Sequence, residues 1–169
     1  MLKRPTPHAP RAPQSPLELI EPYLAAAREA ALKLKDALFD LTPATIPVLE
    51  AILEDIYQEI HARTLRRRLG LGPSEVAIEQ WATVWGIYLG EVLRLELAGT
   101  WITGHEEAPT LLAVEFPDGT TTFPTAKVFK RLSDGASESI LEYYELVRRE
   151  VIGEDGRDDG TGGTGGTAG

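Results

Sequence analysis

Residues 81–101, WATVWGIYLGEVLRLELAGTW, constrain the fold more than any other part of the chain. On a helical wheel Trp81, Trp85, Tyr88, Val92 and Leu95 line one side, while Gly86, Gly90 and Leu97 fall near the other. An aromatic face of that size needs a core to fill. Each glycine costs roughly 1 kcal/mol of helix propensity, so two of them four residues apart are expected where a second element approaches the backbone closely. The segment is therefore predicted to be a helix through the middle of the fold. It is expected to stop at Gly99, because glycine tolerates the left-handed conformation that terminates helices.

The elements before it are helical. Ser15, Pro16 and Glu18 form an S-x-x-E capping box with proline in the first turn, leading into PYLAAAREAALKLKDALFDL. The stripe predicted for this first helix is Tyr23, Ala27, Ala30, Leu34 and Leu41, rich in alanine and suited to packing near the glycine face, with Pro22 delaying or kinking its start. A second helix follows Thr42 and Pro43, presents Val48, Leu49, Ile52, Leu53, Ile56 and Ile60 on one face, and is expected to end near Gly70. Ser74 then offers a cap for the central helix.

After Gly99 the period changes. In TLLAVEF (residues 110–116) Leu112, Val114 and Phe116 alternate with Glu115, the pattern of a half-buried strand. Pro117, Asp118 and Gly119 turn it, Thr120 to Phe123 return as a second strand, and Trp101 to Thr103 can pair as a third. Pro124 ends the sheet. Residues 125–132 read as a short helix or an irregular segment, Ser133 to Gly135 as a turn, and Ser139 with Glu142 as a second S-x-x-E box. The last helix is predicted to face inward with Ile140, Tyr143, Val147 and Val151 and to pair Glu145 with Arg149. The expected class is thus α+β: three N-terminal helices, an antiparallel β-meander of two or three strands, then a short helix and a C-terminal helix. One domain is expected over residues 16–152, between a disordered Pro-rich tail (1–15) and a disordered Gly/Thr-rich tail (153–169).

Seventeen Lys and Arg against 26 Asp and Glu give a net charge of −9. That balance argues against a non-specific binder of nucleic acid or anionic membranes and makes a basic protein the easier partner, although acidity also serves plain solubility. With no cysteine, no apolar signal segment and no run of about 18 apolar residues, the chain is expected in the cytoplasm. Oligomeric state is not fixed by any of these features.

Three stretches carry a resemblance. G-I-Y-L-G-E (Gly86 to Glu91), G-T-W (Gly99 to Trp101) and F-P-T-A-K-V-F-K-R-L (Phe123 to Leu132) resemble a bacterial family of uncharacterised domains, over roughly residues 80–150. The resemblance implies a fold, with no activity attached to it.

The candidate chemistry is sparse. Glu91 beside the aromatic face and Lys130 and Arg131 after the F-P segment suggest a ligand pocket lined also by Trp81, Tyr88 and Trp101. Against it, Gln80, Thr83, Glu91 and Arg94 fall close together on the wheel and read as a solvated stripe. Arg63 and Arg67 continue the stripe of Ile52, Ile56 and Ile60, so the second helix turns cationic; they suit an anion, through bidentate guanidinium pairs, or simply complement the dipole of a last turn. His8, His61 and His105 lack metal-ligand spacing, and no nucleophile elbow or phosphate loop is present, so neither metal nor cofactor is expected. Two functions remain. The first is a non-catalytic protein-binding module, such as an inhibitor, immunity-type protein or adaptor, whose mark would be an exposed Trp or Tyr among acids. The second is a small-molecule binder or hydrolytic enzyme, whose mark would be a closed pocket holding Trp81, Tyr88, Glu91 and Arg131 together.

Overall fold

The computed structural model describes residues 15–62 and 75–153. Among them are five α-helices and one three-stranded sheet: α1 (Pro16–Lys35), α2 (Ile46–Ala62), α3 (Glu75–Glu96), β1 (Thr100–Ile102), β2 (Ala113–Glu115), β3 (Thr121–Thr122), α4 (Pro124–Asp134) and α5 (Ile140–Ile152). The order helices, strands, helices makes the architecture α+β.

Helix α3 is the axis of the core. Every residue from Trp85 to Leu93 is buried, so this stretch is enclosed on all sides rather than on one face. The predicted aromatic face splits: Trp85, Tyr88 and Val92 are fully buried, whereas Trp81 and Leu95 at its two ends keep 39% and 50% of their surface. Helices α1 and α4 pack on α3, α2 packs on α1, α4 and α5, and all of them share one apolar cluster.

Helix α1 starts where Ser15 accepts a hydrogen bond from the Glu18 N–H (3.3 Å) and runs through Pro22 without a break. It ends at Asp36, which takes the left-handed conformation (φ 50°) and donates its N–H to the Ala31 and Leu32 carbonyls. Its buried face is Ile20, Leu24, Ala27 and Ala31, so the stripe expected through Tyr23 and Leu34 is out of phase; both of those are exposed. The predicted face of α2 is met, with Leu49, Ile52, Leu53, Ile56 and Ile60 all buried and Val48 partly so. The expected end of that helix near Gly70 and the Ser74 cap lie outside the described residues, as do most of the two tails.

The sheet is antiparallel in the order β1-β2-β3, with Trp101 opposite Val114 and Val114 opposite Thr122. Its tight turn is the predicted one: Gly119 has φ 88°, Phe116 donates to the Thr120 carbonyl at 2.8 Å, and Asp118 accepts from the Thr120 N–H at 2.9 Å. The end of α3 differs from expectation. Ala98, not Gly99, takes the left-handed conformation (φ 55°). Gly99 is needed for space, since a Cβ there would lie 2.7 Å from Val114 Cγ1.

Candidate functional site

The glycine face of α3 receives the segment after the sheet rather than α1. A Cβ at Gly86 would lie 2.8 Å from the Thr125 backbone nitrogen, and one at Gly90 would lie 2.8 Å from the Trp101 ring and 2.9 Å from Pro124. Pro124 opens α4 at a position where a missing N–H is harmless, and the two glycines let that first turn rest on the α3 backbone.

Tyr88 is fully buried, and its hydroxyl accepts the Leu41 N–H (3.1 Å) and meets the Thr45 hydroxyl (2.9 Å). Its ring packs 4.5 Å from that of Phe39, so it anchors the connection between α1 and α2. Burial pushes its ionisation above the ordinary tyrosine range, against the opposing hydrogen bonds to Thr45 and Leu41. Glu91 is not part of a solvated stripe. Only 6% of it is exposed, it accepts the indole N–H of Trp101 (2.8 Å), and both its oxygens take Arg94 nitrogens at 2.8 Å. A buried carboxylate so fully partnered ties the end of α3 to β1 and leaves little acceptor capacity for a ligand.

Arg131 belongs to a different network. It is 1% exposed and donates through Nε to Glu50 (2.8 Å) and through Nη2 to Glu54 (2.5 Å), both on α2, while its guanidinium lies 5.7 Å from the centre of the Tyr57 ring. Burial works against its charge, and the Glu54 and Glu50 carboxylates outweigh it, so the guanidinium stays charged. In turn Glu54 is held below the usual carboxylate range by its hydrogen bonds from Gln58 and Arg131. The other oxygen of Glu50 accepts the Ile140 N–H at 2.7 Å at the start of α5. Arg131 is therefore a pin between α2, α4 and α5, and Lys130 beside it is exposed.

Trp81, Tyr88, Glu91, Trp101, Lys130 and Arg131 consequently do not converge on one pocket. Tyr88 faces the α1–α2 connection, Glu91 and Trp101 face each other, and Arg131 is enclosed by α2. Arg63 and Arg67 lie outside the described residues. His105 packs edge-on against Phe123 with ring centres 5.2 Å apart, and among the described residues no group of three or more His, Asp and Glu could hold a metal ion. No described helix is long and apolar enough to cross a membrane. The expected Glu145–Arg149 pair is replaced: Arg148 pairs with Glu96 (2.6 Å) and reaches Glu145 at 3.6 Å, while Tyr144 donates its hydroxyl to Glu96.

Several large apolar side chains reach solvent around α3. Trp81 stacks on buried Trp85 with ring centres 6.4 Å apart and planes 8° from parallel, so its outer face stays open. Along the N-terminal half of α3, Val76 is 59% exposed, and across from it on α1 Tyr23 is 38% exposed. Between them runs a furrow of about 640 Å³ lined by Pro22, Tyr23, Val76, Gln80 and Val84 among others. On the other flank of α3 a second furrow, of about 420 Å³, is lined by Ala82, Leu111, Thr125, Ala126 and Phe129. Glu79 and Thr83 line both. The sequence placed Tyr23 in the α1 stripe, Gln80 and Thr83 in a solvated stripe and Thr125 to Phe129 in the F-P segment, and marked none of them as lining a furrow, because each furrow draws on elements far apart in the chain. Glu50 and Glu54 did carry one, being a turn apart at the margin of the apolar face of α2.

No curated protein sequence and no solved structure matches the chain. The family model that does match is that of the Domain of unknown function (DUF3806), over residues 67–144, a span that takes in all three stretches of the resemblance, the whole sheet, α4 and the first turn of α5.

Proposed function

We propose that this protein is a non-catalytic protein-binding module that docks a partner on the outer surface of α1 and the N-terminal half of α3. The observation that carries the reading is the exposure of large apolar side chains here: Trp81, Val76 and Tyr23 stay 39%, 59% and 38% exposed, and Val76 and Tyr23 line one furrow, while Trp85 to Leu93 of α3 are enclosed. Exposed tryptophan and tyrosine on a rigid helical frame supply large contact area at low entropic cost, and such residues dominate binding energy at interfaces. Glu79 lies within this surface, and the chain as a whole is acidic. The ionisable groups that do lie inside the fold, Glu91 and Arg131, are engaged with Trp101 and Arg94 and with Glu50 and Glu54, which makes them parts of the scaffold. The reading places the protein in the cytoplasm of a bacterium, in keeping with its lack of cysteine.

The test is affinity capture from host lysate with the full chain, run beside Trp81→Ala and Val76→Asp variants whose circular dichroism and melting temperature match the wild type. One stoichiometric partner, lost in both variants, is expected. Recovery of no partner, or a partner retained equally by the variants, overturns the proposal.

A further inference from the structure

The two furrows are not separate features. Glu79 and Thr83, one turn apart on α3, line both, so their side chains form a low ridge with an apolar depression on each side. One depression is walled by Pro22, Tyr23 and Val84, the other by Ala82, Leu111 and Phe129. The hydroxyl of Thr83 is turned back onto the Glu79 carbonyl (2.8 Å), which leaves the Glu79 carboxylate as the ridge's charged group. That carboxylate is exposed and forms no ion pair with any described residue, and the residues lining the two furrows include no Lys, Arg or His.

Resting on the protein-binding reading, we infer that the partner presents a short basic segment that crosses the ridge, seating one apolar side chain in each furrow and a Lys or Arg over Glu79. The argument is charge complementarity. An extended segment turns alternate side chains to the same face, so two apolar anchors and a basic residue between them that all meet one surface follow the order apolar-x-basic-x-apolar. A cation placed there meets a carboxylate without an internal competitor, beside apolar walls that keep water at a distance and strengthen the pair. An acidic partner would meet only repulsion from Glu79 and from the net charge of −9. The α1 wall, Pro22, Tyr23 and Ala26, lies outside the span of the family match, which begins at residue 67.

The probe is a random 12-residue peptide library displayed on phage and selected against the full chain, with the enriched peptides then measured by fluorescence polarisation. Enrichment of apolar-x-basic-x-apolar sequences, with Lys or Arg at the central position, is expected. Their affinity should fall at least ten-fold in Glu79→Lys, and equally in Ala126→Trp and Ala26→Trp, which fill one furrow each from the surface. Enrichment of neutral or acidic peptides, no enrichment, or affinity unchanged in these variants overturns the inference. A lysate partner that is lost in Trp81→Ala but bound normally by Glu79→Lys would overturn this inference alone and leave the protein-binding reading standing.

Discussion

Arg131 and Glu50, 81 positions apart in the chain, meet through Arg131 Nε and Glu50 Oε1 at 2.8 Å, and the second oxygen of the same carboxylate caps the first turn of α5. One side chain thus locks α2 to α4 and to α5 at once. Arg131 is 1% exposed while its partners Glu50 and Glu54 keep 22% and 40% of their side-chain surface, so the two ends of the pair are not equivalent. Replacing Arg131 frees two carboxylates that can hydrate. Replacing Glu50 leaves a buried guanidinium with one partner and takes the side-chain acceptor from the Ile140 N–H, while Ser139 still caps α5.

The first expectation follows from that asymmetry. Glu50→Ala should destabilise by about 3 kcal/mol, within the range for leaving one member of a buried pair uncompensated, with loss of the acceptor of the Ile140 N–H included. Arg131→Met, which keeps most of the volume, should cost about 1–2 kcal/mol. Urea denaturation of both variants checks the order; an Arg131→Met protein less stable than Glu50→Ala would show that the pin does not work as described.

Gly86→Ala and Gly90→Ala should each destabilise by about 1–3 kcal/mol, because the added methyl collides with the Thr125 backbone in one case and the Trp101 ring in the other. Helix propensity alone predicts the opposite sign, a gain of about 1 kcal/mol per substitution. A rise in melting temperature for either variant would mean that α4 does not rest on the α3 backbone.

The tyrosines should titrate late. Burial raises Tyr143 and Tyr144 well above the ordinary value of 10.0, and the Glu96 carboxylate that accepts the Tyr144 hydroxyl adds to the rise. A phenol whose folded ionisation lies above its unfolded one contributes stability that is complete below about pH 10 and is lost as pH climbs toward the folded value. Absorbance titration near 295 nm should therefore show part of the tyrosine signal delayed until the chain unfolds in alkali, with the delayed fraction reduced in Tyr144→Phe. A single transition for all five tyrosines at the ordinary value, in folded protein, would contradict this.

Single-tryptophan variants should separate by accessibility. Trp81 is 39% exposed, Trp85 fully buried and Trp101 only 4% exposed. Acrylamide should quench the Trp81-only protein several-fold more efficiently than the other two. Equal quenching would remove the open aromatic surface on which the binding proposal stands.

Much of the local structure was legible in the chain. The S-x-x-E boxes marked the starts of α1 and α5, the Pro117 to Gly119 turn fixed the register of β2 against β3, and the apolar face of α2 was readable because its branched side chains recur at one helical period. The phase of α1 was not, since alanine occupies both of its candidate stripes and gives periodicity little contrast. The candidate site was less legible still. Glu91 looked like one member of a solvated stripe because its partner Trp101 sits beyond the helix end, and Arg131 was read into a ligand pocket because nothing near it in sequence reveals Glu50.

What the sequence determined by itself is therefore what depends on neighbours within a few residues: helix starts, the tight turn, strand alternation and the need for a close approach at Gly86 and Gly90. The tertiary structure alone decided what makes that approach, which carboxylate meets which cation, and which apolar side chains remain in water. The physical reason is that caps and turns are satisfied by local hydrogen bonds, whereas burial and ion pairing are set by the packing of elements whose contacts span tens of residues.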